Sequence, residues 1–164
     1  MWPLNVELVA LALRCDLVRF GSLTCTAAGD RYNLYDLPTM VHDLAHAWRP
    51  DFESQFIRSV KWIMGNLALL LAALDDPAHR DPDGATVLDR TTILIGTEVG
   101  NPAVHAFEDQ TYMIAGGPAF RAGTFDFHNR ATDVDLYATV ARALGRPDHL
   151  GDSPHFHGFL DGLV

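Results

Sequence analysis

Thr91-Thr92-Ile93-Leu94-Ile95 is an unbroken β-branched and apolar run closed by Gly96, and it constrains the fold more than any other stretch of the chain. A short apolar run between turn residues is how a strand covered on both faces of a parallel sheet reads. Directly after it the character changes to Thr97, Glu98, Gly100, Asn101, Pro102 and His105. Loops leaving the carboxyl ends of strands in an open α/β sheet converge polar groups over a rigid base. Glu98 and His105 are therefore the first candidates for a site.

Helical and strand patterns alternate around this run. Val6, Val9, Ala10 and Leu13 predict a first helix ending near Cys15, with Asn5 as its candidate cap. Leu17 to Thr26 predicts a strand that Gly21 weakens, and residues 27–37 a loop. Thr39 can cap a helix that Pro50 must end. Within it His42 and His46 stand four apart and share a face, a spacing that zinc ligands also use. Behind Asp51, residues Phe56, Val60, Ile63, Leu67, Leu71 and Leu74 recur at steps of three and four. They predict a helix from Phe52 to Leu74, roughly 30 Å long at about 1.5 Å per residue.

Asp75 to Arg90 reads as a solvated acidic loop, since Asp81, Asp83 and Asp89 lack the ligand register and closing Glu of an EF-hand. Gln110 to Ala115 predicts a strand ending at Gly116-Gly117, where the backbone turns sharply or is closely approached. Thr132 or Asp133 caps a last helix, Val134 to Leu144, closed by Gly145 and Pro147. A loosely packed tail with His149, His155 and His157 follows from about residue 148. Alternating strands and helices predict a single α/β domain over residues 1–164, layered α/β/α with a mainly parallel sheet.

Composition narrows the partners. With 12 basic against 21 acidic residues the formal charge is -9, which opposes a large phosphate-backbone interface or an anionic membrane surface. The apolar run from Trp62 to Leu74 contains Gly65 and Asn66 and is too short to span a bilayer, and no secretion signal is expected. Cys15 and Cys25 lack metal-ligand spacing and read as buried thiols.

Several segments together carry a resemblance: Cys15-Asp16-Leu17-Val18-Arg19, His42-Asp43-Leu44-Ala45-His46, Leu88-Asp89-Arg90-Thr91 through Glu98-Val99-Gly100, His105, and Gly116-Gly117. They resemble the carboxyl-terminal part of a bacterial family of unknown function, often exported by the twin-arginine route. That family is similar to the alkaline phosphatase and sulfatase superfamily. The resemblance implies a fold incomplete relative to the full superfamily and export to the periplasm or beyond. It sets Glu98 where the superfamily has an Asp ligand, Val99 where it has a His, Gly100 on the matching glycine and His105 on the later His. The Asp-x-x-x-His ligand pair falls on His42 and His46, with Asp43 as a nearby carboxylate and Ala45 in place of a small hydroxyl residue.

Val99 cannot bind a metal, so the resemblance implies one ion held by His42, His46 and His105, with Glu98 as a fourth ligand or its orienting partner. Three nitrogens and one oxygen suit zinc. The superfamily's nucleophile has no counterpart, and Ser22, Thr24 and Thr97 qualify by residue type alone. Two functions stay open. One is a metal-dependent hydrolase of phosphate or sulfate esters, in which Glu98 or Asp43 orients ligands or accepts a proton. The other is a non-catalytic binding or assembly domain that keeps the fold without the chemistry. An unpaired sheet edge would make either self-associate or bind another chain.

Overall fold

The computed structural model describes residues 2–25, 37, 39–46, 50–128, 130–146 and 153–164. They form two compact units, Met1–Gly116 and Gly117–Val164. Thr26, most of the expected loop over 27–37, Pro147 and His149 lie outside the described residues.

The first unit is built on two helices. Helix α1 spans Trp2–Arg14 and α3 spans Pro50–Leu74, with the short α2, Val41–His46, between them in sequence. Pro3 is tolerated in the first turn of α1, where its missing amide is not needed, so the helix starts before Asn5 rather than at it. Its end is set by Asp16 at φ 51°. The Asp16 amide donates to the Leu13 carbonyl and the Leu17 amide to the Ala12 carbonyl. These two bonds satisfy carbonyls that the helix leaves open.

Val6 and Ala10 of α1 pack on Leu70 and Leu74 of α3, with Trp2, Val9, Leu13, Val87, Leu88 and Ile93 around them. Trp2 meets Trp62 edge to face at 6.2 Å, while Arg14 donates to the Ala73 carbonyl and pairs with Asp76 at 3.3 Å. Contacts at both ends of α1 make the two helices run the same way, side by side. The Arg14 guanidinium covers the carbonyl-rich end of α3, where a cation is favoured. A second cluster seats α2: Leu44 and Leu37 are buried among Val41, Phe52, Phe56 and Trp62.

The layered α/β/α fold with a mainly parallel sheet is not what forms. Among the described residues there is one sheet of two short strands, β1 (Ile93–Ile95) and β2 (Met113–Ala115), paired antiparallel with Ile93 opposite Ala115. A parallel pair needs a crossover of a dozen or more residues, usually a helix. Residues 96–112 hold Gly96, Gly100 and Pro102 and no helix, so the chain returns antiparallel. Both strands stay partly accessible, as one-sided antiparallel pairs do. The expected strand over Leu17 to Thr26 also fails to form among the described residues: 17–25 join no sheet, and Leu17 and Phe20 stay exposed. A short apolar run needs a partner strand to become one.

The long helix is present and begins two residues earlier than its pattern predicted. By length and composition its segment Asp51–Leu74 is apolar enough to cross a membrane, with mean hydropathy 1.4 in its most apolar window. The apolar run from Trp62 to Leu74 is therefore only part of a longer candidate span.

In the second unit α4, Asp133–Ala143, starts at Thr132, whose hydroxyl accepts from the Asp135 amide while Asp135 accepts the Thr132 amide. Gly145 at φ 81° closes it, with the Arg146 amide bonded to the Ala141 carbonyl. Residues 153–164, expected to pack loosely, are pinned to this helix. Asp135 accepts the His157 and Gly158 amides at 2.7 and 3.2 Å, the Thr139 hydroxyl accepts the Leu160 amide at 2.8 Å, and Arg142 pairs with Asp161 at 2.7 Å.

Candidate metal centre

Leu44 fixes the short helix that carries two of the candidate ligands. It is fully buried, which stabilises by roughly 1.5–3 kcal/mol for a side chain of this size. His42 and His46 stand two residues to either side of it, both half-buried. Their rings lie 4.6 Å apart, centroid to centroid, at 61°. Positions four apart on a helix meet in this way.

The third imidazole arrives on the turn that follows β1. Asn101 and Ala106 bridge across it, with the Gly100 amide donating to the Ala106 carbonyl at 2.9 Å and the Ala106 amide to the Asn101 carbonyl at 3.0 Å. The Asn101 side chain accepts the Ala103 amide at 3.1 Å, a local bond that favours a turn. Gly100 has no room for a side chain, because a Cβ there would collide with the Glu108 carbonyl. His105 then takes φ 54°, in the left-handed region that His enters more readily than most residues. Its ring meets that of His46 at 4.7 Å and 78°.

His42, His46 and His105 thus form a row of three rings drawn from two segments distant in the chain. Two imidazoles on one tetrahedral ion, each nitrogen about 2.0–2.1 Å from the metal, have centroids roughly 5 Å apart. The observed separations are close to that. As the rings stand, no three His, Cys, Asp or Glu side chains among the described residues converge their donor atoms on one point. Turning an imidazole about its outer torsion re-aims a nitrogen at little cost, because that torsion is broad. Two of the three ring separations are those of neighbouring ligands, while the donor atoms as placed do not converge.

The two candidate carboxylates are near the histidines in sequence. Asp43 and Glu98 are exposed, and neither completes a group of three metal-ligating side chains with the histidines among the described residues. What holds Glu98 is its backbone: its carbonyl accepts from the Gln110 side chain at 2.9 Å, and Gln110 in turn accepts the Tyr112 hydroxyl at 2.6 Å. Gln110 and Tyr112 were not singled out in the sequence. Their signal is alternation, since residues two apart approaching a strand share a face. Val99 is half-buried, and its carbonyl accepts the Thr97 hydroxyl at 2.9 Å, which occupies that candidate nucleophile. Ser22 and Thr24 lie in the exposed segment after α1.

Three other histidines have carboxylate neighbours of their own. His79 pairs with Asp76 at 2.9 Å and His128 with Asp126 at 3.0 Å, both exposed, and His157 lies 3.7 Å from Asp135. Burial pushes the Cys25 thiol up, away from thiolate, and Cys15 is exposed rather than buried as its sequence suggested. No protein-family model, curated protein or solved structure matches the chain.

Proposed function

We propose that His42, His46 and His105 hold one divalent transition-metal ion, best suited to zinc, and that the chain acts through it on small phosphate or sulfate esters. The observation that carries this is the contact of the His105 ring with the His46 ring. Three neutral imidazoles leave a fourth position for a substrate oxygen or a carboxylate, the pattern of a catalytic rather than a structural zinc site. When bound, the ion supplies a Lewis acid for the ester oxygen. The imidazoles fix its position, and the exposed carboxylates of Asp43 and Glu98, on the two segments that bear the ligands, supply a proton acceptor. Ester chemistry comes from the resemblance to the alkaline phosphatase and sulfatase superfamily; metal binding comes from the row of rings.

Two measurements on the same preparation test both parts. Elemental analysis of protein purified without chelator is expected to give about one zinc per chain, lost in His42→Ala and in His105→Asn. The zinc-loaded chain is expected to hydrolyse an aryl phosphate or an aryl sulfate, and His42→Ala is expected not to. Zinc bound at full stoichiometry with both esters untouched would select the second function, a non-catalytic binding domain. That function is favoured by Val99 at a ligand position.

A further inference from the structure

Helix α1 is apolar on both sides. Val6 and Ala10 face α3, while Leu4, Leu8 and Leu11 point away from it and remain 55, 54 and 54% exposed. A helix that is apolar all round belongs in an interior, with a second layer over its outer face. We propose that this layer is a second copy of the chain, with α1 pairing to the partner's α1 across a two-fold axis.

Spacing is the first support. Leu4, Leu8, Leu11 and the exposed Cys15 follow one another at steps of four, three and four, the repeat of a helix-to-helix seam. Glu7 is the one charged residue between Trp2 and Leu13, so nothing interrupts the seam and little charge surrounds it.

Area is the second support. Leu17, Val18 and Phe20 follow α1 directly and are 74, 42 and 87% exposed. With a fully exposed apolar side chain of this size presenting roughly 150–200 Å², the six residues leave about 550–730 Å² of apolar surface. Monomers seldom leave a contiguous patch larger than about 300–600 Å², and a stable interface takes about 800 Å² from each partner. The face is therefore near the size that a dimer buries.

Direction follows from the helix dipoles. Antiparallel pairing opposes them, whereas parallel pairing aligns them. In the antiparallel seam Leu8 meets the partner's Leu11 and Leu4 meets the partner's Cys15. This dimer is independent of the imidazole row, which lies on other elements.

Light scattering coupled to size exclusion at tens of micromolar protein tests it. A dimer is expected, and one that persists or tightens as salt rises, because two chains of charge -9 repel while the seam is apolar. Leu8→Glu, a residue outside the α1–α3 contact, is expected to give a monomer of unchanged circular dichroism. Leu4→Cys, oxidised with dissolved oxygen and a copper catalyst, is expected to form a disulfide dimer with the native Cys15 of the partner. A monomeric wild-type chain, or a dimer that survives both Leu8→Glu and Leu11→Glu, would overturn the seam. Cross-linking of the wild type through Cys15 alone would overturn the antiparallel direction.

Discussion

The ring of His105, on the turn after β1, stands edge to face against the ring of His46 at the end of α2, 4.7 Å between centroids and 78° between planes. His105 is the member of the row whose place depends on backbone as well as side chain, since it holds φ 54°. Asn tolerates that region and a β-branched residue does not. His105→Asn should leave stability within about 0.5 kcal/mol of wild type and lower zinc affinity at least tenfold. His105→Val should lose the same affinity and about 1–2 kcal/mol of stability as well. Urea melts and zinc titrations on the two variants separate the effects.

Leu44 couples the core to the same row. It is fully buried two residues from each of His42 and His46, so its truncation opens a cavity under both. Leu44→Ala should cost about 2–5 kcal/mol. Zinc affinity should weaken although no ligand is altered, and calorimetry with and without zinc would register both changes.

Two glycines give opposite expectations from the same chemical change. A Cβ at Gly100 meets the Glu108 carbonyl, backbone that cannot rotate aside, so Gly100→Ala should cost about 1–3 kcal/mol and displace the turn that bears His105. A Cβ at Gly65, inside α3, meets nothing. Gly65→Ala should stabilise by about 0.5–1 kcal/mol through helix propensity. Parallel chemical denaturation of the two variants checks the signs.

Asp135 makes the second unit sensitive to acid. Burial pushes its carboxyl up, but the amides of His157, Thr132 and Gly158 and the Thr132 hydroxyl outweigh that and hold it below its usual 3.8. A carboxylate depressed in the folded state stabilises fully above its unfolded value and stops doing so as pH falls through the folded one. The His157 and Gly158 amides should therefore stay protected near neutrality and lose protection in acid below pH 3.8, which amide exchange by NMR would follow. Asp135→Ala should remove about 1.5–3 kcal/mol at neutral pH.

Helices were legible where the sequence repeats at three and four, as from Phe56 to Leu74, and where caps are local, as at Thr132 and Gly145. The sheet was not, because five β-branched or apolar residues from Thr91 to Ile95 specify extended backbone without specifying a partner or its direction. The same ambiguity made Leu17 to Thr26 read as a strand. The anchoring of residues 153–164 was invisible for another reason: Asp135 reads as a local helix cap, and its bonds to His157 and Gly158 are tertiary. Of the site, the shared face of His42 and His46 follows from spacing. Nothing in the spacing says that the His105 ring meets that of His46.

Titration of zinc into chelator-treated wild-type protein tests the central claim most directly. One site per chain with a dissociation constant in the micromolar range or tighter, absent from His42→Ala and His105→Asn, is the predicted result. No saturable binding to the wild type, or binding that both variants retain, would contradict it.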